Sequence, residues 1–266
     1  MNRIVAKFAH LQAAGKKALI VYIGAGDPHL KATYDLALAF DRAGVDILEL
    51  GVPFSDPLAD GLVNQLAAQR GLESGTTPPK LLATVVEVRK QSQIPIVFYI
   101  YYNLIHKVGL ERFIQEAAAA GVDGLLVLDL PPEESENYEA LMKRAGLCHI
   151  YLVAPTTPED RIETIVKRGS GFIYYISREG VTGMQSQVAS NLPAQVARLR
   201  SHTTLPIAVG FGISNPDQAK AVAQEADGCV VGSAVVNQIA AYGQAPDLAA
   251  RLGAFVKSLG DAVKSI

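Results

Sequence analysis

The chain has 266 residues, of which 49% are hydrophobic and 19% are charged, so it can bury a large core. Its formal net charge of −2 excludes the basic surface typical of a nucleic-acid-binding protein, and an anionic ligand would have to be held by local groups. This length fits either two domains or a single α/β barrel.

The residues that could bind a metal or form a disulfide are few and scattered. No two histidines have the i, i+4 spacing of a helical metal site, and no cysteine cluster accompanies them, so no metal is expected. Cys148 and Cys229 lie in or beside apolar segments and are predicted to be buried free thiols of a reduced compartment. Because no apolar run approaches the length of a membrane span and no signal peptide is recognisable, we expect a cytoplasmic protein.

Along the chain, an N-terminal amphipathic segment with Ile4, Phe8 and Leu11 on one face is followed by short apolar runs that alternate with amphipathic segments. The runs are rich in Val, Ile, Leu and Tyr and do not alternate cleanly, which is typical of parallel strands covered by helices. The predicted strands lie near 18–23, 46–50, 95–100, 124–130, 149–153, 172–176, 206–211 and 227–232.

The alternation of strands and helices predicts a (β/α)8 TIM barrel that spans residues 1–266 as one domain. Extra helices are expected at the N-terminus, between strands two and three, and at the C-terminus. The competing architecture, an open doubly wound sheet, would have a GxGxxG motif after its first strand, and the chain lacks one there. Helical patterns occupy 34–44, 63–74, 79–90, 110–121, 136–146, 158–169, 192–200 and 215–224.

The stretch ILELGVPFSDPLADG, which covers the second predicted strand and the loop after it, contains three carboxylates: Glu49, Asp56 and Asp60. Ile47 and Glu49 share one face of that strand, near the end where barrel active sites lie. An inward Glu49 would have a raised pKa and could act as a general acid or base, whereas an outward one would pair with a helix Lys or Arg, and both remain open. Asp60 precedes Gly61, which by itself favours a local turn.

Glycines follow the last three predicted strands, in SREGVTG, GFGIS and VGSAVV. Glycine lets backbone N–H groups approach an oxyanion, and the start of a helix adds its dipole. Phosphate in barrels commonly binds at the loops after strands seven and eight. We therefore predict a phosphate site formed by Gly212 with Ile213 and by Gly232 with Ser233, closed by Gly183 from the strand-six loop.

The apolar part of a ligand would need a pocket at the same end of the barrel. Apolar and tyrosine side chains stand near the predicted strand ends, and a tyrosine can offer both a ring face and a hydroxyl. For any one of them a place in the barrel core is the simpler interpretation. The residues are Tyr22, Tyr99, Ile100, Leu126, Leu128, Leu152 and Tyr174.

The motif LELGVPFSDPLADG closely resembles the strand-two signature of the tryptophan synthase α subunit family. The resemblance extends along nearly the whole chain. The further matching motifs are GDP at 26–28, YYN at 101–103, LDLPPEES at 128–135, SREGVTG at 177–183, GFGIS at 210–214 and VGSAVV at 231–236.

The resemblance implies a barrel enzyme, a lyase, that cleaves indole-3-glycerol phosphate to indole and glyceraldehyde 3-phosphate without a cofactor or metal. The family's catalytic pair falls on Glu49 as the mobile acid-base group and on Asp60 as the carboxylate that holds the indole N–H. The phosphate-binding residues fall on Gly183, Phe211, Gly212, Gly232 and Ser233, with Thr182 in the closing loop. The indole pocket falls on Tyr22, Tyr99, Ile100, Leu126 and Tyr174.

The same resemblance implies a partner, a β subunit that condenses indole with serine by means of pyridoxal phosphate, in an α2β2 assembly. The segment from Pro53 to Leu58 is expected to face it. Three alternatives stay open: a stand-alone indole-releasing lyase, a non-catalytic partner that only binds phosphate ligands, and a barrel enzyme for another sugar phosphate. The chain departs from the family pattern at Leu62, where proline is usual, and at Asn64 and Tyr99, where apolar residues are usual.

Overall fold

The computed structural model of the chain, which describes residues 1–176, 191–210 and 212–266, contains a closed barrel of eight parallel strands in chain order. Each strand pairs with the next, and the last pairs with the first, so the predicted TIM barrel is confirmed. The strands are β1 (Ala18–Gly24), β2 (Ile47–Gly51), β3 (Ile96–Ile100), β4 (Gly124–Val127), β5 (Cys148–Val153), β6 (Ile173–Ile176), β7 (Ile207–Gly210) and β8 (Gly228–Val231).

The strands are apolar on both faces because two separate cores cover them. Side chains on one face fill the barrel interior, and the other face packs against the surrounding helices. On β2, for example, Ile47 belongs to the interior, whereas Leu48 and Leu50 belong to the layer beneath the helices. This double burial explains why the strand sequences do not alternate between apolar and polar residues.

With one exception, the helices occupy the predicted segments, with the extra N-terminal, inserted and C-terminal helices in place. The first, α1 (Arg3–Ala13), closes the bottom of the barrel with the three side chains predicted for its apolar face. The others are α2 (Leu30–Arg42), α3 (Leu62–Glu73), α4 (Pro78–Arg89), α5 (Tyr102–Val108), α6 (Leu110–Ala120), α7 (Glu136–Ala145), α8 (Glu159–Arg168), α9 (Leu192–Arg200), α10 (Pro216–Glu225), α11 (Ser233–Tyr242) and α12 (Leu248–Val263), with a 3-10 turn at Pro132–Glu134.

Helix α5 was not predicted from the sequence. Only one residue separates it from the end of β3, so its apolar residues follow directly on the apolar run of the strand. The backbone N–H of Tyr102 at its start donates to Asp129 Oδ1 at 2.6 Å, from beyond the next strand along the chain. A helix start stabilised by so distant a residue leaves no local capping pattern to recognise.

A repeated contact fixes the register of the strands at the N-terminal end of the barrel. The contact occurs in four pairs of neighbouring strands. In each pair, the acceptor is a polar side chain that lies just before the later strand. The donor is the backbone N–H of a residue at or near the start of the earlier strand. This satisfies strand N–H groups that have no ladder partner there. The accepting and donating residues are Asp46 and Leu19 (2.9 Å), Asp123 and Ile96 (2.8 Å), Ser170 and His149 (3.0 Å), and Asp227 and Ile207 (2.9 Å).

Helix α3 lies unusually close to the C-terminal end of β1 because glycines replace side chains at the contact. A Cβ added to Gly24 would lie 2.9 Å from the Cβ of Ala67, and one added to Gly71 would lie 2.6 Å from the carbonyl oxygen of Ala25. Neither distance is tolerated by real side chains. These two contacts determine the position of α3 and therefore of Asp60, which precedes it by two residues.

Replacing Gly71 with alanine is expected to lower the free energy of unfolding by about 1–3 kcal/mol, because the added methyl group overpacks the contact with β1. Alanine favours a helix by roughly 1 kcal/mol over glycine. A loss of stability in Gly71→Ala would therefore have to come from the close contact and not from helix propensity. Gly253 in α12 is the matched control, since its added Cβ would meet Ala39 Cβ at an ordinary 3.7 Å. Gly253→Ala should stabilise by ~0.5–1 kcal/mol. Urea unfolding of both variants measures this, and equal effects would contradict the close-contact explanation.

The helices and the cysteines of the described residues bear on two of the sequence expectations. Within those residues, no helix has the length and apolar character needed to cross a membrane. Cys148 and Cys229 are free and buried, as predicted. Burial raises the pKa of each thiol to about 12, so neither is a reactive nucleophile near neutral pH.

Candidate active site

Glu49 is buried at the C-terminal end of β2, with its side chain on the inner face of the barrel. Its neighbours Leu48 and Leu50 point outward into the helix layer, and only 1% of Glu49 is exposed. Among the described residues its Oε1 atom has no hydrogen-bond partner, so pairing with a helix Lys or Arg is not the arrangement adopted. Burial, assisted by the charge of Asp60, raises the pKa of Glu49 to about 8. The group is therefore a neutral acid at pH 7.

Asp60 is also buried, although it belongs to a turn. Its N–H donates to the carbonyl oxygen of Pro57 at 3.0 Å, as the local turn interpretation predicts. Its side chain, however, points inward: the hydroxyl of Tyr99 donates to Oδ1 at 2.7 Å and that of Tyr101 donates to Oδ2 at 2.8 Å. Burial raises the pKa of Asp60, and hydrogen bonds from Tyr99, Tyr101 and Asn64 act in the opposite direction.

The two carboxyl groups differ in how their charged forms are supported. Asp60 receives hydrogen bonds that favour the carboxylate, whereas Glu49 Oε1 receives none from the described residues. The charge of Asp60 in turn disfavours ionisation of Glu49. Two titratable groups with opposed environments are the usual basis for separate acid and base roles. The arrangement pairs a proton donor, Glu49, with a fixed hydrogen-bond acceptor, Asp60.

Tyrosine side chains form walls around the carboxylates. Tyr22 meets Tyr99 edge to face, with ring centroids 5.1 Å apart and an interplanar angle of 71°. Tyr22 lies over Gly51 and Tyr174 lies over Gly210, where added Cβ atoms would be 2.2 Å and 2.5 Å from the tyrosine hydroxyl oxygens. Glycine at these two strand ends therefore makes room for the rings.

The apolar residues predicted for the pocket divide between the two cores. Leu126 lies in the barrel interior, and Leu128 and Leu152 pack against the same cluster. Ile100 does not: it belongs to the outer layer between β3 and the helices. The pocket assignment of Ile100 is therefore wrong, because it alternates with Tyr99 along β3 and the two side chains point to opposite faces.

The predicted phosphate-binding residues that the structure describes lie at the ends of adjacent strands. Gly212 follows β7, Gly232 follows β8, and Ser233 is the first residue of α11. A Cβ on Gly232 would lie 3.5 Å from Tyr22, so this helix start borders the tyrosine wall. Thr182, Gly183 and Phe211 lie outside the described residues. The helix start offers N–H groups and a dipole suited to an anion.

Two residues around Asp60 were not singled out as functional from the sequence. Tyr101 was noted only as part of the YYN motif, and Asn64 only as a departure from the family. Tyr101 directly follows β3, so its spacing of two residues from Tyr99 would have placed both on one face if the strand alternation is continued by one residue. No comparable signal marks Asn64, because its contact with Asp60 depends on where α3 lies against the barrel.

The raised pKa of Glu49 makes a prediction about stability. Below the ordinary value of 4.5 the carboxyl is neutral in both folded and unfolded chains, and between 4.5 and about 8 only the unfolded chain releases the proton. The parent should therefore lose stability as the pH rises through that window, whereas Glu49→Gln should not. We expect the advantage of Glu49→Gln in unfolding free energy to grow by about 2–4 kcal/mol from pH 5 to pH 9.

Urea unfolding of parent and variant at pH 5 and pH 9 measures this difference. Asp56→Asn, which removes an exposed carboxylate from the same loop, serves as the control. A difference between Glu49→Gln and the parent that does not change with pH would mean that Glu49 is ionised in the folded chain.

Comparison with known proteins gives one consistent result. A model of the family described as tryptophan synthase alpha chain matches residues 8–264. The chain is 54% identical to the tryptophan synthase alpha chain of Opitutus terrae over 239 residues, which covers 90% of each chain. It is 50% identical to that of Geotalea daltonii over 259 residues, which covers 97% of this chain and 98% of the relative.

Solved structures agree with these relatives. The tryptophan synthase subunit alpha of Legionella pneumophila superposes with a TM-score of 0.93 at 38% identity and full coverage of both chains. A chain from the structure of Mycobacterium tuberculosis tryptophan synthase superposes with a TM-score of 0.89 at 33% identity, covering 99% of this chain and 98% of the other. The likeness thus extends over the whole barrel.

Proposed function

This chain belongs to the tryptophan synthase alpha chain family, and we propose that Glu49 and Asp60 are the groups with which it cleaves indole-3-glycerol phosphate to indole and glyceraldehyde 3-phosphate. It is a lyase of tryptophan biosynthesis. The observation that carries the residue assignment is the pairing of a neutral buried Glu49 with a hydrogen-bonded Asp60 at the C-terminal end of the barrel. Barrel enzymes place their chemistry at that end.

The cleavage needs two proton transfers and one fixed acceptor. The carboxyl of Glu49 gives its proton to the indole ring carbon that bears the glycerol chain, while Asp60 accepts a hydrogen bond from the ring N–H and stabilises the positive charge that develops there. The Glu49 carboxylate then takes the proton of the hydroxyl next to the ring. The carbon–carbon bond breaks, its electrons return to the ring, and the hydroxyl carbon becomes the aldehyde.

The proton balance of this sequence closes within the site. Glu49 loses one proton and regains one, so it ends the cycle as it began. Its pKa of about 8 suits both steps, because the group is neutral before the reaction and still a usable base after it. The chain supplies these groups from its own residues, and we propose that it uses no cofactor.

The glycerol phosphate end is proposed to bind at the glycines after β7 and β8. Gly212 and Gly232 bring backbone to adjacent strand ends, and α11 begins at Ser233, directly after Gly232. Gly183 and Phe211 are assigned to the same site, and Thr182 to its closing loop, by resemblance alone. The indole ring is assigned to the space bordered by Tyr22, Tyr99, Leu126 and Tyr174.

A β subunit is proposed as the partner, in an α2β2 assembly in which pyridoxal phosphate belongs to the partner. The loop from Pro53 to Leu58 is the proposed contact surface, and Leu58 is 81% exposed within it. Phe54 in this loop packs against Tyr101, with ring centroids 5.0 Å apart. Because Tyr101 also donates a hydrogen bond to Asp60, a partner bound to this loop would contact the active site through Phe54 and Tyr101.

The test is the release of indole from indole-3-glycerol phosphate, measured for this chain alone and with the tryptophan synthase β subunit of the same organism. Cleavage that rises strongly on addition of the β subunit supports the proposal. Equal, high activity without the β subunit would favour a stand-alone lyase. No cleavage in either case would leave a phosphate-binding partner without catalysis, and the assignment of Glu49 and Asp60 would be wrong.

A further inference from the structure

We propose that Tyr99 is a positioning residue, which holds the Asp60 carboxylate in the orientation needed to accept the indole N–H before substrate arrives. The inference rests on the proposed role of Asp60. It assigns to Tyr99 a task beyond lining the indole pocket, because its hydroxyl contacts Asp60 rather than the space left for the ring.

The carboxylate of Asp60 is held at both of its oxygens. Tyr99 donates to Oδ1 at 2.7 Å, and Tyr101 donates to Oδ2 at 2.8 Å. Rotation about the last bond of an aspartate is broad, so one hydrogen bond leaves the plane of the group free to turn. Two donors on separate oxygens fix that plane. Asn64 is a third donor to Asp60, so at least one of the roughly four lone-pair sites of the carboxylate remains to accept the indole N–H.

The two donors are anchored to different parts of the molecule. Tyr101 also accepts the N–H of Ala59 at 3.0 Å and packs against Phe54, so it is tied to the loop that carries Asp60. Tyr99 has neither contact. Its ring packs edge to face on Tyr22 in the barrel interior. Tyr101 is therefore also bound to the loop that carries Asp60, whereas Tyr99 holds Asp60 from the barrel interior.

The support of Tyr99 continues through the sheet. Tyr99 pairs in register with Gly51 on β2, and Tyr22 occupies the space over Gly51 that a side chain would fill. Glu49 precedes Gly51 by two residues on β2, so Tyr99 is held beside the strand end that carries Glu49. Burial and the charge of Asp60 raise the pKa of Tyr99 well above its ordinary value, so its hydroxyl stays a donor throughout the working pH range.

The test compares Tyr99→Phe with Tyr138→Phe in the full-length chain. Tyr138 is a buried tyrosine on α7 whose hydroxyl has no partner among the described residues, so its loss should leave the cleavage rate unchanged. Tyr99→Phe removes a hydrogen bond to a charged group and should lower kcat/KM for indole release by about 10- to 100-fold. The acid limb of its pH profile should move to higher pH, because Asp60 loses a group that favours its ionised form.

A second readout does not depend on turnover. The Asp60 carboxyl carbon can be titrated by 13C NMR, with its signal identified by its loss in Asp60→Asn. Tyr99→Phe is expected to shift this titration to higher pH, and Tyr138→Phe is not. In the Asp60→Asn background, adding Tyr99→Phe should change the residual rate by less than ~2-fold, because the two substitutions act through one contact.

The outcomes separate the positioning role from the catalytic role. An unchanged titration and acid limb in Tyr99→Phe would overturn the inference, as would a loss of rate equally large in the Asp60→Asn background. If Asp60→Asn keeps the parental rate, the proposed role of Asp60 fails. If Asp60→Asn is inactive but Tyr99→Phe is unaffected, the role of Asp60 stands and only the inference about Tyr99 fails.

Discussion

Glu49→Gln is expected to lower kcat for indole release by about 10²- to 10⁴-fold, the usual range for the loss of a general acid-base group. The amide keeps the size of the carboxyl but can neither give a proton to the ring carbon nor take one from the hydroxyl. A steady-state assay of indole release from indole-3-glycerol phosphate measures the effect.

The fold should survive this substitution, which makes the loss interpretable. Glu49 Oε1 has no hydrogen-bond partner among the described residues, and the neutral amide suits a buried site better than a charged group does. Unfolding of the variant at pH 8 should therefore require at least as much urea as the parent. A Glu49→Gln variant with near-parental turnover would refute the acid-base assignment, and one that fails to fold would refute the account of its burial.

Asp60→Asn is expected to lower kcat/KM by about 10²- to 10³-fold, comparable to the removal of one electrostatic contact that stabilises a transition state. The amide can keep a hydrogen bond from Tyr99 or Tyr101, but it lacks the negative charge that opposes the charge on the indole nitrogen. The effect should fall mainly on kcat, because that charge is largest in the transition state.

Asp56→Asn in the isolated chain is the matched control for Asp60→Asn. The two aspartates lie four residues apart in one loop, and Asp56 is exposed whereas Asp60 is 6% exposed. The same change of charge at Asp56 should alter indole release by less than ~2-fold, because water screens it from the site. Equal losses at the two positions would indicate an effect of overall loop charge and would remove the specific role of Asp60.

The sequence left two positions open for the Glu49 side chain, and the structure places it on the inner face of the barrel. The apolar residues next to Glu49 on β2 support the same position. Side chains alternate along a strand, so the apolar residues on either side of Glu49 had to share the face opposite to it. The same rule correctly groups Tyr99 with Tyr101, and it also contradicts the pocket assignment of Ile100.

Asp60 is the position at which local rules were insufficient. Its hydrogen bond to Pro57 makes it the turn residue that the neighbouring glycine suggests. Its side chain is directed by hydroxyls that lie 39 and 41 residues away, on β3 and directly after it. No property of the stretch PLADG encodes that contact, and only the resemblance to a known family pointed to a functional role for Asp60.

The eight strands, nearly all of the helices and the proposed active-site end of the barrel follow from hydrophobic periodicity and from the order of elements along the chain, both of which can be read from the sequence. The way in which Asp60 is held, the start of α5 and the close approach of α3 to β1 become visible only in the folded chain. Each of these depends on partners distant in the chain that barrel closure brings together. The pKa of Glu49 belongs to the same class, since its value depends on burial by several strands and on the charge of Asp60.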